Sequence, residues 1–455
     1  MTDTTHDPHQ QKGPSKARVV AAAAIGNLVE WYDFALYAYS ATVIAAVFFP
    51  SSDRTTALLS TLAVFGVSFV LRPVGGLVLG RLGDKVGRRR ILSLSIVGMG
   101  ICTVLMGLIP SYAAIGMAAP VLLVLTRLGQ GFFSGGEYTG ASTFLVEHAP
   151  DNRRGLWAGI SVASGTLPFA VAGFIVLAFT AMPADSYESW GWRIPFLIAG
   201  PLSLVGLYLR FRVEETPNFK ALQEQEATVS SPLKTVLGEH RRAVLMVIAV
   251  AGLNSVAMYT LTSYMPTYLK ENVGISDGLA TVSNASVVVM VCVLVPILGF
   301  ISDNIGRKKV LGVGVVLLAG LAAPSFYVLS SGAPGSPILG QVLYALPFAC
   351  IAAVLSTIMC EMFPTAVRYS GASTGYNLAY AVFGGTAPFV SQMLVDQTGS
   401  LVAPGFYVTI LALLVIPVTV LLPETYKRRL ADNAETIIEK TDYDTTTTPR
   451  KEAMK

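Results

Sequence analysis

Long apolar runs separated by short polar segments dominate the chain, and they predict its architecture. A run of about 18–20 mostly apolar residues is long enough to cross the hydrocarbon core of a bilayer as a helix. Twelve such runs can be placed, with ends defined to about 2–4 residues. They cover roughly 19–48, 56–80, 91–110, 117–145, 155–180, 192–212, 242–270, 279–301, 310–330, 337–361, 370–395 and 402–422. The pattern predicts an all-α membrane protein with twelve transmembrane helices.

Composition supports this prediction and excludes several classes of protein. Of the 455 residues, 53% are hydrophobic and 13% are charged, whereas soluble domains carry about 25% charged residues. The four cysteines lie inside apolar runs, without disulfide or metal-ligand spacing. No nucleophile–His–acid set and no phosphate-binding loop is found. We therefore expect no enzyme activity, no cofactor, no metal site, no nucleic-acid partner and no ATP-driven pumping.

The basic residues predict the orientation in the membrane. A threading with twelve spans puts 27 of the 32 Lys and Arg residues on one side. Basic residues in short loops mark the cytoplasmic face, so both termini are expected inside the cell. The first apolar run is preceded by a polar stretch and followed by no cleavage site, which predicts an uncleaved span. We expect a multi-pass protein of the cell's inner (plasma) membrane.

A short basic turn occurs twice, at 80–90 and at 299–309. Asp84 and Asp303 are 219 positions apart, as are Arg88 and Arg307. Further charged residues recur in the same order, Glu147 and Arg154 in the first half and Glu361 and Arg368 in the second. Repeats with an even number of spans each predict two parallel six-helix bundles.

The repeat and the polar segments divide the chain into five parts. These are a cytoplasmic tail at 1–18, a six-helix bundle at 19–212, a cytoplasmic linker at 213–241, a second bundle at 242–423 and a cytoplasmic tail at 424–455. Within the linker, 218–227 could form a short surface helix.

Several motifs resemble a known family. The Gly-x-x-x-Asp-x-x-Gly-Arg-Arg turn resembles that of the major facilitator superfamily. Four stretches, at 26–34, 72–76, 127–137 and 190–196, look like its metabolite:proton symporter family. The resemblance covers about residues 19–430 and implies proton-driven uptake of a small polar metabolite, often a carboxylate or a zwitterionic osmolyte. It also implies that the basic turn latches the cytoplasmic ends of the two bundles.

Ionisable residues inside the apolar runs point to the transport chemistry. Charged groups at membrane depth are unfavourable by at least ~2.5–3.5 kcal/mol and mark functional sites. Such residues occur in the first half only: Glu30, Asp33, Arg72, Arg127 and Glu137. Burial favours the protonated form of a carboxylate and a neighbouring Arg favours the charged form, so Asp33, Glu30 or Glu137 could carry the proton. The alternative is a permanent salt bridge that fastens these helices together.

The same region predicts the substrate contacts. The planar guanidinium groups of Arg72 and Arg127 could dock a carboxylate. We also select four residues for a cavity wall: Tyr32, Tyr259, Asn254 and Asn377. Tyrosine combines an apolar ring with a polar tip and suits such a wall.

We assign the repeated charged residues to gating and not to substrate binding. The expected network at the cytoplasmic ends comprises Asp84, Arg88, Glu147, Arg154, Asp303, Arg307, Glu361 and Arg368. We expect a monomeric symporter that imports a small molecule, most simply an organic acid, together with protons by alternating access. A proline or betaine osmolyte symporter is the alternative, and a non-transporting nutrient receptor is a third reading. A drug:proton antiporter is disfavoured because its Gly-Pro-x-x-Gly-Gly motif is missing from 159–173.

Overall fold

A computed structural model gives the fold of the chain. It describes residues 28, 31–51, 53–86, 88–135, 142–143, 145–147, 149–211, 232–364 and 367–427. For a few of these, among them Asp84 and Arg88, only the backbone is described. The predictions for Glu30, for Glu137 and for 218–227 fall outside this part of the chain.

The described helices match the twelve predicted spans and are numbered accordingly. The first six are α1 (31–39 and Ala41–Phe48), α2 (Arg54–Val70 and Arg72–Val86), α3 (Arg88–Leu108), α4 (Ala118–Ser134), α5 (Arg154–Thr180) and α6 (Ile194–Phe211). The second six are α7 (Arg241–Glu271), α8 (Asp277–Ile305), α9 (Arg307–Leu329), α10 (Ser336–Glu361), α11 (Arg368–Thr398) and α12 (Ala403–Leu421). Eight described helices are long and apolar enough to cross a bilayer, and Ser93–Leu108 and Ala118–Ser134 are shorter apolar helices.

The second span differs from the continuous helix that the sequence predicts. It is interrupted at Leu71, whose backbone N–H donates to the carbonyl of Phe69. Pro73 has no N–H to donate to that carbonyl, which lies four residues earlier, and this explains the break. The second piece begins at Arg72, whose side chain is buried inside the first half.

Two six-helix halves, α1–α6 and α7–α12, pack against each other mainly along α5 and α8. Gly155 and Gly299 allow the close approach at one end of this contact. A Cβ built on Gly155 would lie 2.3 Å from the carbonyl oxygen of Gly299, so any side chain there would separate the helices. The halves also meet where α2 packs against α11.

The predicted linker is partly helical. Pro232–Glu239 forms a short helix just before α7. Its Val236 side chain is buried, and the helix contacts the starts of α7 and α11. This apolar contact holds the short helix against the second half.

The helix junctions define two ends of the molecule. The basic end holds the α2–α3, α4–α5, α8–α9 and α10–α11 junctions and is predicted to be cytoplasmic. The opposite end holds the α1–α2 and α7–α8 junctions.

Candidate functional site

A small cavity lies between the two halves. Its walls come from α1, α5, α7, α10 and α11, and its lining residues are Trp31, Val162, Gly165, Thr166, Asn254, Met258, Phe348, Ala352, Leu355, Tyr376 and Tyr380. Its volume is about 10 Å³, close to what one water molecule needs. A larger ligand requires the walls to move apart, so the conformation described is closed around the centre.

Aromatic rings form one continuous wall of this cavity. Tyr376 and Tyr380 stack with their ring centroids 3.9 Å apart, and Tyr380 meets the edge of Tyr259 at 6.0 Å. Tyr259 in turn lies 6.4 Å from Trp31 of the other half. The faces of such rings attract cations, most strongly when water is excluded.

The polar groups at the cavity are neutral. Asn254 donates from Nδ2 to the hydroxyl of Tyr380 at 2.9 Å, while its Oδ1 has no hydrogen-bond partner among the described residues. Thr166 donates its hydroxyl to the carbonyl of Val162 on its own helix. Among the described lining residues, none carries a formal charge.

Two π-helical turns position this wall. One, Thr260–Tyr264, directly follows Tyr259 in α7, and the other, Tyr380–Gly384, begins at a lining residue of α11. Single π turns within α-helices are rare and recur at functional sites. Gly384 is required here because a Cβ at that position would lie 2.9 Å from the ring of Tyr259.

A buried polar cluster fills the first half behind the cavity. Arg127 donates to the Gln130 side chain at 2.8 Å and to the Ser68 hydroxyl at 3.2 Å. The carboxylate of Asp33 lies beside Thr103 and within electrostatic reach of Arg127. Its Oδ2 has no hydrogen-bond partner in the described part of the chain. Protonation of Asp33 at Oδ2 would therefore break no hydrogen bond among the described residues.

Arg72 lies beside Trp31, a lining residue of the cavity. Its Nε donates to the Ser134 hydroxyl at 3.0 Å, and its guanidinium carbon is 5.2 Å from the ring centroid of Trp31. Phe34 lies beside both arginines, with its ring centroid 5.3 Å from the guanidinium carbon of Arg72 and 5.1 Å from that of Arg127. The Phe34 ring thus packs against both buried guanidinium groups, and the cavity residue Trp31 contacts that of Arg72.

At the basic end, Asp303 of α8 binds the start of α5. Its carboxylate accepts hydrogen bonds from the backbone N–H groups of Gly155 at 2.8 Å and Leu156 at 3.0 Å. It also pairs with Arg307 at 2.8 Å. A carboxylate at a helix N-terminus is stabilised by the unpaired N–H groups and by the helix dipole. This contact joins the two halves.

Two further ion pairs cross between the halves at the same end. Arg368 of α11 donates to Glu147 at 2.9 Å. Glu361 of α10 lies 3.6 Å from Arg154 and 3.5 Å from Arg307. Glu361 and the three arginines are buried. The loss of one partner would therefore leave a buried charge unpaired, which is strongly unfavourable.

The opposite end is closed by different chemistry. Tyr39 of α1 donates to Asn284 Oδ1 of α8 at 2.7 Å. Asn284 Nδ2 in turn donates to the carbonyl of Leu261, inside the π turn of α7, at 2.8 Å. Arg54 and Glu271 form an ion pair at 2.7 Å across the halves, but 82% of the Arg54 side chain is exposed. An exposed pair contributes at most about 1 kcal/mol, so the buried uncharged contact is the stronger fastening.

Comparison with known sequences decides the family. The profile of the sugar (and other) transporter family matches residues 19–231 and again residues 220–436. The chain belongs to the sugar (and other) transporter family. It is therefore a multi-pass membrane transporter of the major facilitator type and not an enzyme, as the sequence motifs predict.

Curated relatives of this transporter are similar over nearly their whole length. The proline/betaine transporter of Salmonella typhimurium is 36% identical, over 91% of this chain and 84% of the relative. The ectoine/proline transporter ProP of Corynebacterium glutamicum is also 36% identical, over 94% of this chain and 88% of the relative.

Solved structures agree with the fold. The proton:xylose symporter XylE bound to 6-bromo-6-deoxy-D-glucose superposes with a TM-score of 0.74 and 20% identity, over 92% of this chain and 98% of that structure. This likeness supports twelve helices in two halves, the architecture predicted from the sequence.

The structure brings together some of the predicted substrate residues of the transporter and separates others. Asn254 lines the cavity, and Tyr259 packs against its wall. Tyr32 instead donates to the carbonyl of Pro195 in α6. Asn377 donates to the carbonyl of Gly135 at 3.3 Å and is not among the described lining residues. Arg72 and Arg127 are likewise absent from the described lining.

Three aromatic residues of the wall were not selected from the sequence: Trp31, Tyr376 and Tyr380. Tyr376 and Tyr380 are four positions apart, so they share one face of α11. That spacing was a usable signal. Among the described residues, no group of His, Cys, Asp and Glu could hold a metal ion, and the expected absence of a metal site remains a prediction.

Proposed function

We propose that this transporter imports a small zwitterionic osmolyte of the proline or betaine type together with protons. The sequence motifs left this substrate class open as the alternative to an organic acid. The substrates in the names of its relatives, proline, betaine and ectoine, favour it over an organic acid.

The observation that carries the proposal is the chemistry of the central cavity. Its described lining has aromatic rings and neutral polar groups but no ionised side chain. Transfer of a net charge into such surroundings is strongly unfavourable. A zwitterion has no net charge, and its ammonium group can lie against the rings of Tyr376, Tyr380 and Trp31 by cation–π attraction.

The two buried arginines have other contacts. Arg127 is held by Gln130 and Ser68, and Arg72 by Ser134. Neither arginine is among the described lining residues, so an anion in the closed cavity would meet no cationic side chain of that lining. This arrangement disfavours the organic acid that the sequence first suggested.

Asp33 is our choice for the proton carrier. At this depth, the sequence supplies three carboxylates, Asp33, Glu30 and Glu137, and two arginines, Arg72 and Arg127. A buried net charge is unfavourable, and the net charge of these five groups is zero when one carboxylate is protonated. Asp33 is buried near Arg127 of α4. A movement of α4 therefore changes the electrostatic stabilisation of the Asp33 carboxylate.

The contacts at the two ends suit alternating access. Opening the basic end must separate Asp303 from α5 and Glu147 from Arg368, and opening the other end must separate Tyr39 from Asn284. The bundles at 19–212 and 242–423 are the two moving units in this proposal. The tails at 1–18 and 424–455 and the linker at 213–241 are assigned to the cytoplasm.

Uptake into proteoliposomes tests the proposal. The purified transporter is given labelled betaine, proline, α-ketoglutarate, citrate or shikimate, with the outside either more acidic than the lumen or at equal pH. We expect accumulation of betaine and proline, driven by the acidic outside. Gradient-driven uptake of a carboxylic acid alone would support the organic acid reading, and uptake that ignores the gradient would exclude proton symport.

A tryptophan pair tests the cavity itself. Trp31→Ala removes a ring from the aromatic wall, and we expect the KM for betaine to rise at least about tenfold, since cation–π contacts in dry sites contribute ~2 kcal/mol. Trp190→Ala is the matched control, because Trp190 is 50% exposed at the opposite end. Equal KM changes in both variants would contradict a role of the cavity.

A further inference from the structure

Asn254 is the amide of the central cavity, and its two polar atoms differ in their contacts. Nδ2 donates to the hydroxyl of Tyr380 at 2.9 Å. Oδ1 is buried and accepts no hydrogen bond from the described residues. The side chain as a whole is 4% exposed and lines the cavity. A buried acceptor without a donor is unfavourable, so a ligand that supplies an N–H group stabilises it.

The contact to Tyr380 limits how the amide can turn. The tyrosine ring is fixed by stacking on Tyr376 at 3.9 Å and by the edge contact with Tyr259 at 6.0 Å. Its hydroxyl lies 3.9 Å from the sulfur of Met258, a weak acceptor for its proton. With Nδ2 engaged by a fixed hydroxyl, Oδ1 is the atom of Asn254 that remains for a ligand.

Zwitterions with different cationic groups differ in the hydrogen-bond donors that they can offer this oxygen. The ring nitrogen of proline is a secondary ammonium with two N–H donors. The ring of ectoine likewise bears N–H donors on its cationic part. The nitrogen of betaine carries three methyl groups and no N–H. All three cations can lie against the aromatic wall, but only the first two can donate to an amide oxygen.

We propose that Asn254 sets the preference of the transporter between N–H-bearing and quaternary ammonium zwitterions. Its Oδ1 accepts a hydrogen bond from the ammonium N–H of proline or from the amidinium N–H of ectoine, and the aromatic wall alone holds the trimethylammonium group of betaine. A hydrogen bond from a charged donor in a water-excluded site is stronger than one between neutral groups. The inference rests on the proposed function, since it names the atom by which that same cavity distinguishes its substrates.

The test compares KM values for labelled proline and betaine in proteoliposomes. Asn254→Leu keeps the size of the side chain and removes the acceptor. We expect the ratio of the proline KM to the betaine KM to rise about tenfold or more, where tenfold corresponds to about 1.4 kcal/mol. Asn304→Leu is the matched control, because the exposed Asn304 amide donates to the carbonyl of Phe300 in its own helix, and its ratio should stay at the wild-type value.

A second variant separates loss of the acceptor from loss of folding. Asn254→Asp keeps an oxygen acceptor in the same place, and we expect a ratio at or below that of the wild type. A ratio within about twofold of the wild type in Asn254→Leu, or a rise of the ratio in Asn254→Asp, overturns the inference. If the wild type carries neither proline nor betaine, the proposed function fails instead, and the two failures are thereby distinguished.

Discussion

The carboxylate of Asp303 accepts a hydrogen bond from the backbone N–H of Gly155 at 2.8 Å, although the two residues belong to opposite halves of the transporter. The same carboxylate binds the next N–H group, of Leu156, and the side chain of Arg307. One acidic side chain thus caps a helix of the other half and is itself held by a basic neighbour. The capping contact can form only while the two halves are together at the basic end, so it must break when this end opens.

Asp303→Asn should open the basic end. The substitution removes the negative charge at the start of α5, where charge–dipole interactions contribute about 0.3–2 kcal/mol, so the open population should rise by up to about thirtyfold. Cys360 reports on this opening, because its buried thiol lies 3.7 Å from Thr143 of the other half. Its rate of labelling by a permeant maleimide, with the other three cysteines replaced by Ala, should increase. Asn304→Ala is the control, and an unchanged rate in the Asp303 variant would contradict the assignment.

The Glu147–Arg368 ion pair should show coupling in a charge swap. Arg368 is buried and Glu147 is partly exposed, so reversing either charge alone puts like charges close together. We expect each of Glu147→Arg and Arg368→Glu to reduce uptake strongly and the double variant to recover part of it. Because Arg368 also donates to the carbonyl of Cys360, the recovery should be incomplete. A coupling energy of about 0.5–3 kcal/mol is expected for a contacting pair, and additive effects would argue against it.

Asp33→Asn should uncouple transport from the pH gradient. In the wild type, uptake rises as the outside becomes more acidic, because the carrier must be protonated there and deprotonated inside. The amide cannot release a proton, so accumulation should be lost while exchange of labelled for unlabelled substrate continues. Asp277→Asn is the matched control, since that carboxylate is 59% exposed near the opposite end. Gradient-driven accumulation by Asp33→Asn would transfer the role to Glu30 or Glu137.

Two tyrosines of α1 allow a controlled test of the opposite end. Tyr39 donates to Asn284 across the halves, whereas Tyr37 donates to the carbonyl of Thr61 within the first half. Tyr39→Phe removes the donor to the buried side-chain oxygen of Asn284, at a cost of about 1–3 kcal/mol, whereas the Thr61 carbonyl lies inside the helix Arg54–Val70 and keeps its intrahelical bond in Tyr37→Phe. Only Tyr39→Phe should ease opening at this end. An impermeant maleimide applied from outside should label Ala280→Cys faster in that background, and equal rates in both would refute the latch.

The sequence predicted the secondary structure closely because bilayer thickness and apolar burial dictate it locally. The predicted spans 155–180 and 337–361 correspond to Arg154–Thr180 and Ser336–Glu361. The break at Leu71 and the π turns of α7 and α11 were not predicted. These are local adjustments that depend on Pro73 and on neighbouring helices rather than on apolar length.

The repeat also identified most of the residues that meet at the basic end. Asp303, Arg307, Glu361, Arg154, Glu147 and Arg368 were grouped by their recurrence, and the structure brings them into contact. Their role in gating stays a prediction. Repetition was informative here because duplicated halves place equivalent loops at one face of the membrane.

The sequence by itself determined the twelve spans, the duplication and the transporter family, because apolar length and motif spacing are properties of contiguous residues. Only the tertiary structure decided which side chains reach the centre. Trp31, Asn254 and Tyr380 meet across α1, α7 and α11 through helix packing that no single segment encodes. The same packing pairs Arg127 with Gln130 and leaves both Arg72 and Arg127 outside the described lining of the cavity. This placement moved the proposed substrate from an organic anion to a zwitterion, because the charge of a site depends on which side chains line it.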